Sequence, residues 1–75
     1  MTHKYVRDKF LGFVIWPRTD QVFHSHVGRL FGSPISAGFV YFIDGKPTCY
    51  GESESLRLDS LSEDSEKLAE QLNKC

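Results

Sequence analysis

Few of the devices that anchor or staple a short chain are present in these 75 residues. Two cysteines, Cys49 and Cys75, are too few for the disulfide framework of a small secreted domain, which predicts a reduced chain. Apolar runs are short. The longest, F-L-G-F-V-I-W over Phe10 to Trp16, falls far below the ~20 residues of a membrane span. The opening Met-Thr-His-Lys-Tyr has neither the apolar stretch nor the small-residue cleavage site of a secretory signal, which predicts a cytoplasmic protein. No glycine-rich phosphate loop of recognisable spacing, internal repeat or low-complexity linker occurs. Nothing calls for a cofactor. One small domain over 1–75 is expected, with residues 1–8 flexible or, as the alternative, Tyr5 and Val6 beginning a strand. A chain of this length buries only about 60% of its extended surface, so stability is marginal unless something helps. Self-association is the remaining helper.

What the chain does have is aromatics, six Phe, three Tyr and one Trp, and one strong local signal. In S-A-G-F-V-Y-F-I-D-G-K-P-T-C-Y-G, Asp44-Gly45 separates two apolar runs. Such a pair supplies the positive φ angles of a two-residue hairpin turn. The turn predicts Ile43 opposite Lys46, Phe42 opposite Pro47, Tyr41 opposite Thr48, Val40 opposite Cys49 and Phe39 opposite Tyr50. Phe39, Tyr41, Ile43 and Tyr50 then share one face; Val40, Phe42, Pro47 and Cys49 share the other. The first strand is greasy on both sides and reads as interior. Pro47 lacks an N–H and places the second strand at the edge.

Upstream, Phe10 to Trp16 reads as a buried strand stopped by Pro17, with Gly12 marking a bulge or close approach. Between Thr19 and Phe31 the period changes. Thr19 or Asp20 would cap a helix bearing Val22, Phe23, Val27, Leu30 and Phe31 on one stripe, ended by Gly32 and Pro34. Beyond the hairpin, E-S-E-S-L-R-L alternates and would prolong the outer strand to Leu58. Ser60-Leu61-Ser62-Glu63 has the form of a capping box. The helix it opens would carry Leu61, Leu68, Ala69 and Leu72 inward, with Glu63–Lys67 and Glu70–Lys74 pairs outside.

The expectation is therefore an α+β fold in β-α-β-β-α order, a three-stranded sheet with both helices on one face. The aromatic opposite face would stay bare, and a patch of that kind calls for a partner. The expected partner is a second copy, joined through the aromatic face or a sheet edge, with Phe39, Tyr41, Ile43, Tyr50 and Trp16 as interface candidates. The first functional expectation is thus a non-enzymatic binding protein acting as a homodimer.

Charge suggests an alternative. Residues 1–34 carry five cations against two acids, whereas residues 51–75 carry seven acids against three cations. The acids solvate the C-terminal helix. The cations Lys4, Arg7, Lys9, Arg18 and Arg29, interleaved with aromatics, suit phosphate and base contacts in a nucleic acid. Against that stand a pI of ≈ 6.3 and the lack of an RNP, KH or zinc-finger signature.

Catalytic and metal chemistry come third. His24 and His26 lie about 200° apart on a helix, but on a strand would share a face suited to zinc, with His3, Cys49 or an acid completing the set. Cys49 beside a histidine would make a thiol nucleophile, although mid-strand cysteines are ordinarily inert. Ser53 in G-E-S-E-S lacks the second glycine of a nucleophile elbow. Glu52 and Glu54 share a strand face and read as edge charges rather than a catalytic pair. Ser53, Ser55, Ser60, Ser62 and Ser65 lie in an acidic setting that suits phosphorylation.

Overall fold

A computed structural model describes residues 2–18, 24, 27, 29 and 32–73. Among the described residues six strands and one long helix follow in order: β1 (Thr2–Asp8), β2 (Gly12–Pro17), β3 (Pro34–Ile43), β4 (Lys46–Tyr50), β5 (Glu52–Ser53), β6 (Leu58–Asp59) and α1 (Asp64–Asn73). The first four form an antiparallel sheet in the order β2-β1-β3-β4, and β5-β6 form a small second sheet.

The β3–β4 hairpin has the register read from its turn, from Phe39 opposite Tyr50 to Ile43 opposite Lys46. Asp44 and Gly45 take φ of 51° and 80°, as such a turn demands. β3 is interior, and β4 with its Pro47 is an edge.

The three-stranded sheet with two helices on one face is overturned. Residues 2–8, expected to be flexible, are an interior strand pairing with both β2 and β3. Tyr5 and Val6, adjacent and on opposite faces, are each fully buried. The charges that made this stretch look like a tail are absorbed by partners: Arg7 pairs with Asp64, and Asp8 is bonded within a turn. Phe10 and Leu11 are not in a buried strand. They sit in the β1–β2 turn, 77% and 65% exposed, and Gly12, at φ 82°, ends that turn. β4 is not prolonged to Leu58 either. The chain turns away after Gly51, and Glu52–Ser53 pairs back on Leu58–Asp59.

Each sheet face has its own cluster. Leu68 of α1 packs on Tyr5, Phe13 and Val40, with Ile15 and Cys49 beside them. On the other face Val6, Trp16 and Ala37 are covered by Val14, Val27, Leu56 and Leu58. Full burial of side chains such as Val40 and Leu68 stabilises by about 1.5–3 kcal/mol each. The expected stripe of Val22, Phe23, Leu30 and Phe31 and its cap at Thr19 or Asp20 lie outside the described residues. Val27, however, packs on the face opposite α1, so the face expected to stay bare is partly clad.

The expected capping box moves by one turn position. Asp64 Oδ2 accepts the Leu61 N–H at 2.9 Å, and the Asp64 N–H bonds the Leu61 carbonyl at 3.0 Å. Asp64, not Glu63, thus does the capping. Of the expected stripe, Leu68 alone is fully buried; Leu61 and Leu72 are exposed. Lys67 pairs with Glu70 at 3.8 Å rather than with Glu63, which faces Arg7 at 3.8 Å. Lys74 lies outside the described residues.

Side chains of α1 reach both sheet margins. On β2, the Gln71 carboxamide accepts from the Phe13 N–H at 2.8 Å and donates to the Phe13 carbonyl at 3.1 Å, as a neighbouring strand would. Pro17 further along has no donor. On β4, Ser65 Oγ accepts the Cys49 N–H at 2.8 Å, and Pro47 has none to offer.

Candidate functional site

An aromatic row runs across the face opposite α1. Trp16 and His24 meet edge to face at 5.5 Å between centroids, as do His24 and Phe39 at 5.6 Å and Tyr50 and Tyr41 at 5.6 Å, while Phe39 and Tyr50 are tilted at 5.8 Å. Strand alternation and pairing create it: Lys4 lies opposite both Trp16 and Phe39, and Phe39 lies opposite Tyr50. Of the interface candidates, Trp16 is buried and Phe39 half-buried, while Tyr41, Ile43 and Tyr50 are exposed, together with Phe42 on the other face of the hairpin. Trp16 is therefore an inner support of the row rather than a contact surface.

Gly38 lets the row close. A Cβ there would stand 2.5 Å from the Tyr50 carbonyl oxygen, too close for any side chain. The Gly38 carbonyl in turn accepts His24 Nε2–H at 2.8 Å. That bond makes Nδ1 the acceptor nitrogen of the neutral ring. Burial holds the His24 pKa below its ordinary value, the Gly38 bond opposes the shift, and the Lys4 ammonium adds to it. His24 is thus a neutral imidazole of fixed tautomer at neutral pH.

Beside the row lies a cleft of about 770 Å³ lined by Lys4, His24, Phe39, Tyr50, Glu52, Glu54 and their neighbours Ser53 and Ser55. The Ser53 hydroxyl accepts the Leu56 N–H at 3.3 Å, a local turn bond and not the contact of an activated nucleophile.

The basic residues do not gather. Arg18 lays its guanidinium over Phe39 at 4.9 Å, and Lys4 lines the same cleft. Arg7 lies on the opposite face, bound to the buried Asp64 carboxylate at 2.9 Å. Lys9 sits over Phe10 in the β1–β2 turn, and Arg29 is exposed.

His24 and Cys49 are parted by the sheet, while His3 shares the Cys49 face. Cys49 packs with Tyr5 and Leu68 under α1, whereas His24 packs with Trp16 and Phe39 on the other side. They form no thiol–imidazole pair. His26 lies outside the described residues, and among those described no group of three His, Cys, Asp or Glu converges to hold a metal. Burial pushes the Cys49 thiol up to about 11, with the charge of Asp64 adding to the effect and the Ser65 bond opposing it. A thiol so shifted is a poor nucleophile at neutral pH.

Sequence reasoning missed two features. One is the Tyr5–Asp64–Arg7 cluster, whose members lie far apart in the chain. The other is the exposed β1–β2 tip. There the buried Asp8 accepts the N–H groups of Phe10 at 2.9 Å, Leu11 at 3.1 Å and Ser33 at 2.9 Å. It thereby fixes two large apolar side chains in solvent. An Asp followed by turn residues is an Asx-turn signal, but the apolar run behind it concealed that reading.

No helix among the described residues is long and apolar enough to cross a membrane. Compared with protein-family models, curated proteins and solved structures, the chain matches none.

Proposed function

We propose that this chain is a non-enzymatic binding protein that acts as a homodimer, joined through the outer end of the β3–β4 hairpin. The observation that carries the reading is the exposure of Tyr41, Ile43 and Tyr50 together on one face of that hairpin, with Phe42 exposed on the other. Apolar rings gathered at one place are the usual anchors of an interface. A second copy suits the charges at the tip. Asp44 lies in the turn and Lys46 follows it, opposite charges that a two-fold axis allows to pair reciprocally between copies. Joining through a sheet edge is disfavoured, because Gln71, Ser65 and the two prolines occupy or remove the outward donors.

Light scattering at micromolar concentration tests this reading. A dimer is expected, reverting to monomer in Ile43→Asp with an unchanged circular dichroism spectrum and a melting temperature that no longer depends on concentration. Monomer at every concentration overturns it.

A second reading, nucleic-acid binding, rests on Lys4 and Arg18 flanking Phe39. Glu52 and Glu54 in the same cleft repel phosphate and weigh against it. If single-stranded oligonucleotides fail to bind at ~50 mM salt, where phosphate contacts are strongest, this reading falls.

A further inference from the structure

We propose that the β1–β2 turn docks on an anionic lipid bilayer, Phe10 and Leu11 entering the acyl boundary while Lys9 meets the lipid phosphates. A surface contact of this kind needs no spanning segment. No other large hydrophobic side chains among the described residues are as exposed as these two, at 77% and 65%. The turn that carries them is pinned. The buried Asp8 carboxylate accepts the N–H groups of Phe10, Leu11 and Ser33, and the Lys9 N–H bonds the Ser33 carbonyl at 2.9 Å. A turn held at so many N–H groups keeps both side chains out in solvent.

The size of the tip decides its occupant. Two side chains offer roughly 300 Å² of apolar surface, well short of the ~800 Å² per partner that a stable protein interface buries. A fluid bilayer needs no matching pocket, and a small apolar tip gains from it in proportion to what it inserts. Charge fits the same occupant. Asp8, the turn's own acid, is buried and spent on N–H groups. Arg7 and Lys67 at the foot of the turn are paired with Asp64 and Glu70. Lys9 has no carboxylate partner among the described residues. Its ammonium lies 5.6 Å from the Phe10 ring centroid, a contact that still leaves Phe10 the most exposed large hydrophobic. A lysine so placed lays its stem along an inserted ring and keeps its charge at the phosphates. Asp8 pairs with Pro34, whereas Thr2 pairs with Tyr41. The turn therefore lies at the opposite end of the sheet from the dimer contact proposed above and does not rest on it.

The test is co-sedimentation of the whole chain with phosphatidylcholine vesicles containing about one-third phosphatidylserine. Half of the chain is expected to be bound at about millimolar lipid, weaker than a single myristoyl chain achieves. Phe10→Ser/Leu11→Ser is expected to lose at least about ten-fold. Lys9→Gln, or vesicles of phosphatidylcholine alone, are expected to lose about five-fold. All three side chains are exposed, and circular dichroism verifies the fold of each variant. No sedimentation at about 10 mM lipid, undiminished binding by the double variant, or equal binding to vesicles with and without phosphatidylserine overturns the proposal. Loss in Ile43→Asp with none in the double variant places lipid on the hairpin and overturns it as well. So does self-association without lipid that the double variant abolishes, since a second copy is then the occupant.

Discussion

Tyr5 Oη donates to Asp64 Oδ2 at 2.6 Å, tying the middle of β1 to the first turn of the helix, 59 positions along the chain. Asp64 is fully buried, and it also receives Arg7 Nη1 at 2.9 Å and the Leu61 N–H at 2.9 Å. One carboxylate therefore caps the helix, pairs a cation and holds a phenol. Burial first, then the bond to Asp64 and its charge, push the Tyr5 hydroxyl far above its ordinary pKa.

Removing this carboxylate strands Arg7 and Tyr5 together. Asp64→Ala is expected to cost about 3–5 kcal/mol, the usual penalty for breaking a buried ion pair. Tyr5→Phe removes one hydrogen bond to a charged group and is expected to cost about 1.5–3 kcal/mol. Urea unfolding followed by tryptophan fluorescence measures both. Equal and small losses would show that the cluster contributes little.

Stability is expected to fall at both ends of the pH scale. The Asp8 pKa is lowered, chiefly by its bond to the Phe10 N–H, and the His24 pKa is lowered, chiefly by burial. For both groups the unfolded chain binds the proton more readily, so their contribution is complete above the unfolded pKa and lost as pH falls. The histidine share goes first, below about 6.5, and the aspartate share below about 3.9. Cys49 works in the opposite sense. Its pKa is raised from 9.0 to about 11, so its share is complete below the unfolded value and lost as pH rises through that interval. Melting temperatures across the pH range check the profile. A profile flat between pH 4 and 7 contradicts the buried, neutral His24.

Opening the sheet margins is expected to change behaviour more than stability. Gln71→Ala frees the Phe13 N–H and carbonyl, and Ser65→Ala frees the Cys49 N–H. Each costs a hydrogen bond or two, about 1 kcal/mol apiece. Each also bares an edge on which another strand can pair. Light scattering under gentle heating is expected to show earlier aggregation in both variants than in Leu72→Ala, an exposed control on the same helix.

The hairpin was legible because its information is local: Asp44-Gly45 sets the turn, and the turn sets every partner from Phe39 to Tyr50. The first strand was hidden because its signal is not local. Lys4, Arg7 and Asp8 read as the charges of a loose tail until Asp64 and the N–H groups of the β1–β2 turn are placed against them. Phe10 and Leu11 misled for the converse reason. Their greasiness extends the run up to Trp16, and only the buried Asp8 carboxylate, accepting from the turn that follows it, decides that they face water. The candidate cleft was legible in parts. Phe39 and Tyr50 share a face by simple alternation, but the reversal after Gly51 that carries Glu52 and Glu54 to the rim left no periodic mark.

Residues 64–73 touch β1 through Asp64, β2 through Gln71 and β4 through Ser65. They follow all four large strands in the chain. Melting of that single segment therefore uncovers both flanks at once, so a local opening far short of global unfolding is enough to let neighbouring chains zip together.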